Sequence, residues 1–358
     1  MKEKSRSLIL RSNLLESLWF YLSWVDVGHR RLNFILKSFS GKPRTHGLGG
    51  DLPMILIGQV QRSGGTLMAQ LFDGHSQVNC HPPELYWGKP KKWNWPDFHV
   101  DEINSNRDFY YLLYQSWITD GAAKGALEFG KASNAQSFPF RFNVRYHRGI
   151  FFRLLDEHSA SSRRDVLNSY LEAFYAAWLD YKNSSGNKKF HVAFIPRTSM
   201  HEESVKRFIE DYPDGFLIHI FRHPAAWWAS ARKHQKQYEK MDSLELWEIS
   251  TQSGIKMKKK YKEKVICINF ENLTTNTEMT MQNICQYIGL DWERILLIPT
   301  FNSMPVSADS SFVNEQAGLV SSKVIERYKK HLAQEEIDEI NKKYLALYFE
   351  AKDYCLNK

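Results

Sequence analysis

Short, continuous apolar runs alternate with amphipathic stretches along most of the chain. The runs are MILIGQV at 54–60, QVNC at 77–80, HVAFI at 191–195, FLIHIF at 216–221 and VICINF at 265–270. Such runs are typical of strands buried on both faces of a parallel sheet. Amphipathic helices are predicted between them, for example EESVKRFIEDY at 202–212. Strands that alternate with helices predict an α/β fold, a three-layer sandwich with a central parallel sheet.

Residues 1–50 carry a different pattern. LILRSNLLESLWFYLSWVD at 8–26 places apolar residues at helical spacing between basic flanks, but Arg11 and Glu16 interrupt it. The apolar run is therefore too short to span a membrane, and no small-residue cleavage site follows it. We expect an amphipathic helix that either packs on the domain or makes a peripheral membrane contact, followed by a Gly-, Ser- and Pro-rich linker. We expect the protein to be cytoplasmic.

Residues 51–358 are predicted to form a single α/β domain with a mainly helical insertion at about 86–185. The content of 43% apolar and 25% charged residues excludes the disordered and coiled-coil classes. The four cysteines are widely scattered, so neither a disulfide framework nor a zinc site is expected. The formal net charge of +8 favours anionic partners, such as a nucleotide, a nucleic acid, an anionic membrane or an acidic glycan.

A glycine loop follows the first predicted strand, in the segment QRSGGTL. Its candidate ligand-binding residues are Arg62, Ser63, Gly64, Gly65, Thr66 and Leu67. Adjacent glycines allow a tight turn that points successive N–H groups inward, and a helix that begins near Thr66 adds its positive N-terminal end. The loop therefore predicts a phosphate site, with a ligand-free turn as the alternative. It is not a Walker A loop, because Gly65 stands where that motif has its lysine.

A second anion site is predicted after the strand at 216–221, in the segment FRHPAAWWASARKH. Arg222 leaves the strand end, Pro224 suits the first turn of a helix, and Ser230 follows about two helical turns later. Ligands of parallel sheets bind beyond the carboxyl ends of the strands, so both motifs should line one crevice. Two anion sites in one crevice predict a ligand with phosphate groups at both ends.

The two motifs resemble those of sulfotransferases that use 3′-phosphoadenosine-5′-phosphosulfate (PAPS). That family has [RK]-S-G-[TG]-T-[LW] after its first strand, and R-x-P followed by a serine at its 3′-phosphate site. The resemblance implies the P-loop-like sulfotransferase fold, with Arg62 to Leu67 at the 5′-phosphosulfate and with Arg222 and Ser230 at the 3′-phosphate. It also implies sulfuryl transfer from PAPS to a hydroxyl, release of adenosine 3′,5′-bisphosphate (PAP), and no metal.

The resemblance assigns catalytic roles to two further residues. Glu84 in HPPEL stands where the branch that acts on tyrosyl proteins and glycans has its glutamate base, with His75 and His81 as competitors. Arg197 stands where many relatives carry a lysine that would stabilise charge on the transferring group. The expected acceptor is therefore a hydroxyl on a carbohydrate, a glycolipid, a tyrosyl group or another larger molecule.

Two further segments carry candidate contacts. Ser310, Ser311 and Lys323 are candidates for a C-terminal loop that relatives close over PAPS. WGKPKKWNWPDFHV combines tryptophans with lysines, and these tryptophans could stack on sugar rings or pack in the core. No RNA- or DNA-binding signature accompanies them, so no nucleic-acid partner is expected.

Two other functions stay open on the sequence. A P-loop-like phosphotransferase that uses ATP would need a magnesium-binding carboxylate and a phosphate-binding lysine, and the glycine loop lacks that lysine. A nucleotide- or glycan-binding protein with an inactive sulfotransferase fold would lack a base, whereas Glu84 is present.

Overall fold

The computed structural model describes most of the chain after the predicted linker. The described residues are 42–43, 50–82, 84–85, 93–103, 105–114, 140–158, 160–184, 187–234, 240–307 and 316–356. The predicted N-terminal helix, most of the linker, Ser310 and Ser311 lie outside them. Among the described residues, no helix combines the length and the hydrophobicity that crossing a bilayer requires.

The central element of the fold is a parallel sheet. Its strands are β1 (Met54–Ile57), β2 (Val78–Cys80), β3 (Phe190–Phe194), β4 (Phe216–Phe221) and β5 (Val265–Asn269). Within the described part of the chain these strands lie in the order β2-β3-β1-β4-β5, and all neighbours are parallel. Each strand overlaps one of the predicted apolar runs, so the prediction of an α/β fold with a central parallel sheet is confirmed.

α-Helices and one short hairpin are the other main elements of the described secondary structure. The helices are α1 (Gly65–Phe72), α2 (Asn106–Tyr114), α3 (Val144–His158), α4 (Arg163–Ala177), α5 (Glu202–Asp211), α6 (Pro224–His234), α7 (Lys240–Tyr261), α8 (Phe270–Thr275), α9 (Thr277–Ile288) and α10 (Gln334–Asp353). The hairpin pairs β6 (Thr300–Phe301) with β7 (Met304–Pro305). One sequence prediction fails at its end, because Phe270 leaves the predicted strand and begins α8.

Helices cover both faces of the sheet. On one face, Ile55, Ile57 and Ile218 share a buried core with residues of α1 and α9. On the other face α7 packs closely, since a Cβ added at Gly254 would lie 2.6 Å from the ring of His219. Successive side chains of a strand point to opposite faces, so Ile218 and His219 mark the two sides. The sheet is thus the middle of three layers, as predicted.

The described residues group into two compact units. One unit contains the sheet and comprises the described residues within 52–97 and 183–358, and the other contains α2, α3 and α4. In the second unit His147 is buried, with its Nδ1 3.2 Å from the Tyr110 hydroxyl and its Nε2 3.1 Å from the Tyr170 carbonyl. These helices lie in the stretch predicted as an insertion, and the single-domain assignment of 51–358 stays a prediction.

Candidate active site

The predicted site residues follow the carboxyl ends of neighbouring strands. These residues are Arg62 and Gly64 after β1, Glu84 after β2, Arg197 after β3, and Arg222 after β4. Backbone bonds continue the sheet beyond its strands, since the Arg197 amide donates to the Gln59 carbonyl at 2.9 Å and the Leu85 amide to the Phe194 carbonyl at 2.8 Å. Because the strands are parallel, the turns after them share one edge of the sheet.

The backbone of the glycine loop requires glycine at positions 64 and 65. Arg62 and Gly64 have φ of 67° and 100°, in the left-handed region. A Cβ at Gly64 would lie 2.5 Å from the Phe270 ring, and one at Gly65 would clash with the Gln59 side chain and the Phe194 ring. Gly64, the N-cap residue of α1, provides no side-chain cap, and the first turn of the helix holds no acidic residue. The loop therefore leaves the positive end of α1 open to an external anion.

The two predicted anion motifs are in direct contact. Arg222 Nη1 donates to the carbonyl oxygen of Arg62 at 2.6 Å. Arg62 Nε in turn donates to the Ser230 hydroxyl at 3.3 Å. The glycine loop, the turn after β4 and the second turn of α6 are thus linked through three of the predicted residues.

Arg222 is a buried cation. It is 9% exposed, its guanidinium carbon lies 4.3 Å from the centre of the Phe270 ring, and within the described residues its Nε has no hydrogen-bond partner. Burial lowers its pKa to about 10, Glu271 opposes that shift, and Arg62 adds to it. A desolvated guanidinium with an unused N–H is suited to bind an anion.

A polar network fixes the turns around Arg222. The Glu271 carboxylate accepts from the His223 amide at 3.1 Å and from the Tyr348 hydroxyl at 2.8 Å. The Trp247 indole donates to the Arg222 carbonyl at 2.9 Å. These groups hold the arginine turn against α7, α8 and α10 and fix the position of the predicted anion site.

Arg197 is held differently, at a half-buried position. Its φ is 67°, its Nε donates to the Gln61 side-chain oxygen at 2.7 Å, and its guanidinium carbon lies 4.2 Å from the centre of the Trp93 ring. Trp95 is fully buried and packs edge-on against Phe208 and Tyr212. Within the tryptophan–lysine stretch, Trp95 therefore packs in the core and Trp93 supports a predicted site residue.

Glu84 and Lys323 lie at the border of this region. Glu84 is half-buried, and it immediately precedes Leu85, whose amide bonds to the end of β3. Lys323 is exposed in a 3₁₀ turn, Ser322–Val324, that packs against α8. Ser310 and Ser311 lie outside the described residues, so their assignment stays a prediction.

The two competing histidines are both buried in the fold. His75 is fully buried, its Nε2 lies 2.8 Å from the Asp291 carbonyl, and its Nδ1 accepts from the Gln77 amide at 3.1 Å. His81 is also fully buried. Among the described residues, no cluster of three or more His, Cys, Asp or Glu side chains could hold a metal ion.

Several residues of the region are absent from the sequence prediction. They are Gln61, Phe270, Glu271, Trp227 and Trp247; the Trp227 indole donates to the Gln61 carbonyl at 2.8 Å. Phe270 and Glu271 directly follow β5, so the rule that parallel strands place their carboxyl ends together could have found them. Trp227 and Trp247 lie on helices α6 and α7, and no local sequence pattern predicts their contacts with the turns.

Comparisons with known proteins bear on the fold and the family of the chain. A solved sulfotransferase domain from the olefin synthase of Synechococcus PCC 7002 is similar to the chain at 15% identity, over 86% of this chain and 98% of that one, with a TM-score of 0.51. The sulfotransferase domain from the curacin biosynthetic pathway matches at 16% identity, over 82% and 97%, with a TM-score of 0.48. At these identities the first likeness shows the fold. No curated protein sequence matches the chain. A model of the sulfotransferase family matches residues 53–294, which is more than half of the chain, and the chain therefore belongs to the sulfotransferase family.

Proposed function

We propose that the protein transfers a sulfuryl group from PAPS to a hydroxyl of a carbohydrate, a glycolipid or another larger acceptor, with Glu84 as the general base. The observation that carries this proposal is the contact between the two anion motifs, through Arg62, Ser230 and Arg222. A ligand with charged groups at both ends fits such a pair of sites, and PAPS has a 5′-phosphosulfate and a 3′-phosphate.

The residues present suit each end of PAPS. The loop from Arg62 to Leu67 and the open N-terminus of α1 would hold the 5′-phosphosulfate, because the glycines leave room where any Cβ would clash. Arg222 and Ser230 would hold the 3′-phosphate, since the guanidinium is desolvated and has an unused N–H. Lys323, Ser310 and Ser311 would contact PAPS from the C-terminal loop.

The chemistry is an in-line transfer at sulfur. Glu84 takes the proton of the acceptor hydroxyl while the hydroxyl oxygen forms a bond to sulfur. The bond between sulfur and the bridging phosphate oxygen breaks, and PAP leaves with that electron pair. Arg197 stabilises negative charge on the sulfuryl oxygens during the transfer. An arginine there offers a planar fork of donors, where a lysine would offer a point charge.

Titration of the purified protein with PAP, with ATP and with adenosine 5′-monophosphate (AMP) tests the donor site. We expect PAP to bind more tightly than AMP, because only PAP has the 3′-phosphate that Arg222 would contact. Tight ATP binding without a response to PAP would contradict the proposal and favour an ATP-dependent phosphotransferase. Labelled PAPS with a panel of hydroxyl acceptors then identifies the acceptor class. PAP binding with no transfer to any acceptor and no release of sulfate would favour a non-catalytic nucleotide-binding protein.

A further inference from the structure

Two side chains restrain the Arg197 guanidinium from different directions. Gln61 accepts from its Nε at 2.7 Å, which fixes one edge of the guanidinium plane. Trp93 lies against its face, with 4.2 Å from the guanidinium carbon to the ring centre. An arginine on a flexible stem usually samples several rotamers, and this pair of contacts selects one.

Both restraining residues are themselves held in place. The Gln61 carbonyl accepts from the Trp227 indole at 2.8 Å, and Trp227 is 2% exposed on α6. The Trp93 carbonyl accepts from the Thr198 hydroxyl at 2.9 Å, one residue after Arg197. Gln61 and Trp93 therefore form a clamp around Arg197. The clamp is attached to buried groups of the sheet-containing unit and to the turn that carries the arginine itself.

The clamp leaves one edge of the guanidinium available. Within the described residues, neither Nη1 nor Nη2 of Arg197 has a hydrogen-bond partner. Because Gln61 occupies Nε, an oxyanion can make a two-point contact with Arg197 only end-on, through the two terminal nitrogens. A lysine ammonium has no planar edge to orient, so the bond from Gln61 can orient a pair of donors only when position 197 is arginine.

Gln61 also connects Arg197 to the donor loop. It immediately precedes Arg62, the first residue of the loop proposed to hold the 5′-phosphosulfate. The hydrogen bond from Arg197 to Gln61 therefore sets the distance between the guanidinium and that loop. A displacement of about 1 Å is enough to impair a transfer step that depends on oriented charge.

We propose that Gln61 and Trp93 are positioning residues that fix Arg197 so that Nη1 and Nη2 face the sulfuryl oxygens of PAPS. This inference rests on the proposed function. It assigns the two residues to the transfer step and not to the binding of the nucleotide.

The first test replaces Gln61 with Met, which has a similar length but no carbonyl acceptor. The readouts are the dissociation constant of PAP and the single-turnover rate of PAPS hydrolysis to PAP and sulfate, which needs no known acceptor. We expect Gln61→Met to lower the hydrolysis rate by about tenfold, because the guanidinium loses its orientation. The dissociation constant of PAP should stay within about twofold, since PAP has no sulfuryl group. Gln252→Met, on an exposed face of α7, is the matched control.

A double-mutant cycle separates positioning from a structural effect. If Gln61 acts through Arg197, the Gln61→Met/Arg197→Met variant should hydrolyse PAPS at the rate of Arg197→Met alone. Trp93→Leu should slow hydrolysis about threefold, and Trp93→Phe should restore most of the rate by restoring an aromatic face. Independent effects that multiply in the double variant would overturn the proposal. Equal losses of PAP affinity and hydrolysis in Gln61→Met would also overturn it.

A binding measurement covers the case in which hydrolysis is too slow to follow. The ratio of PAPS affinity to PAP affinity reports contacts to the sulfuryl group alone, and we expect Gln61→Met and Arg197→Met to change that ratio equally. An unchanged ratio in Gln61→Met beside a changed one in Arg197→Met would contradict the positioning role. Failure of the wild-type protein to bind PAP would instead reject the proposed function, so the two failures are distinguishable.

Discussion

The two arginines at the carboxyl edge of the sheet are held in contrasting surroundings. Arg222 is 9% exposed, lies over the phenyl ring of Phe270 and donates to a backbone carbonyl. Arg197 is half-buried, lies over the indole of Trp93 and donates to a side-chain carbonyl. Both follow the end of a strand and both rest on an aromatic ring. They differ in how much water each has lost and in how firmly its partners are fixed.

This difference predicts different roles. A desolvated guanidinium is stabilised most by a permanent anion. Arg222 and the groups that contact it, here called the Arg222 side, should therefore control the affinity for the nucleotide. A partly solvated guanidinium that is held in one orientation gains most from charge that develops during transfer. Arg197 and its turn, here called the Arg197 side, should therefore control the rate of sulfuryl transfer, together with Glu84 beyond the neighbouring strand.

The largest expected effect is on the rate of sulfuryl transfer. Glu84→Gln removes the proposed base and should lower sulfuryl transfer by about 10²- to 10⁴-fold. The dissociation constant of PAP should change less than about twofold, because Glu84 is not among the anion-binding residues. Glu203→Gln, an exposed glutamate in the first turn of α5, is the control. Transfer that survives the change at position 84 would show that another residue is the base.

The substitution that should affect nucleotide affinity most is Arg222→Ala. It should weaken PAP binding by about 2–5 kcal/mol, the range for loss of one partner of a buried charge pair. Calorimetric titration of PAP and AMP measures the effect, since the preference for PAP should disappear in the variant. Arg197→Ala, in comparison, should leave PAP affinity nearly unchanged. Equal affinity of the wild-type protein for PAP and AMP would break the contrast between the two arginines.

A substitution at Gly64 tests whether the Phe270 ring, which contacts Arg222, also restricts the conformation of the glycine loop. Gly64→Ala should lower the free energy of unfolding by about 2–4 kcal/mol and weaken PAP binding, because it combines a left-handed residue with a clash against Phe270. Gly289→Ala is the control, since Gly289 has φ of 77° and open space around its Cα. That control should lose only the backbone part, about 1 kcal/mol. Equal losses in urea unfolding would show that the contact with Phe270 is unimportant.

The fold was predictable because its strands are continuous apolar runs. β1, β3, β4 and β5 are buried on both faces, so their sequences need no alternation and stand out from the amphipathic helices. The strand end at Phe270 was not predictable in the same way. Phe270 is apolar like the strand before it, but Asn269 caps a new helix by accepting from the Asn272 amide.

The position of the two predicted anion motifs at strand ends could be read from the sequence, whereas the groups that orient their side chains could not. Arg62, Gly64 and Arg222 occur at fixed spacing from strand ends, and that spacing is visible in the sequence. The contact of Arg197 with Gln61 joins residues 136 positions apart, and only the folded sheet brings them together. Trp93 shows the same limit of sequence-based prediction. The composition of its segment suggested stacking on a sugar or packing in the core, whereas its ring lies against the Arg197 guanidinium.

The smallest predicted effect concerns how the Arg197 side is attached to the sheet. The Ser199 hydroxyl, two residues after Arg197, donates to the Gly58 carbonyl at 2.7 Å and lies 2.9 Å from Nδ1 of His219 on β4. Burial lowers the pKa of His219 to about 3, so the native protein keeps this ring neutral. The unfolded chain binds a proton there near pH 6.5, and stability is therefore lost as the pH falls from about 6.5 towards 3.

Replacing His219 with Asn keeps a donor near the position of Nδ1 and removes the titration. Between pH 7 and pH 4.5, the wild-type protein should lose about 2–3 kcal/mol more unfolding free energy than His219→Asn, as measured by urea titration. The turn at Arg222 carries a second such group, because burial also lowers the pKa of His223 to about 4, and His219→Asn leaves that group unchanged. An identical acid loss of stability in both proteins would show that His219 does not connect the Arg197 turn to the pH dependence of the fold.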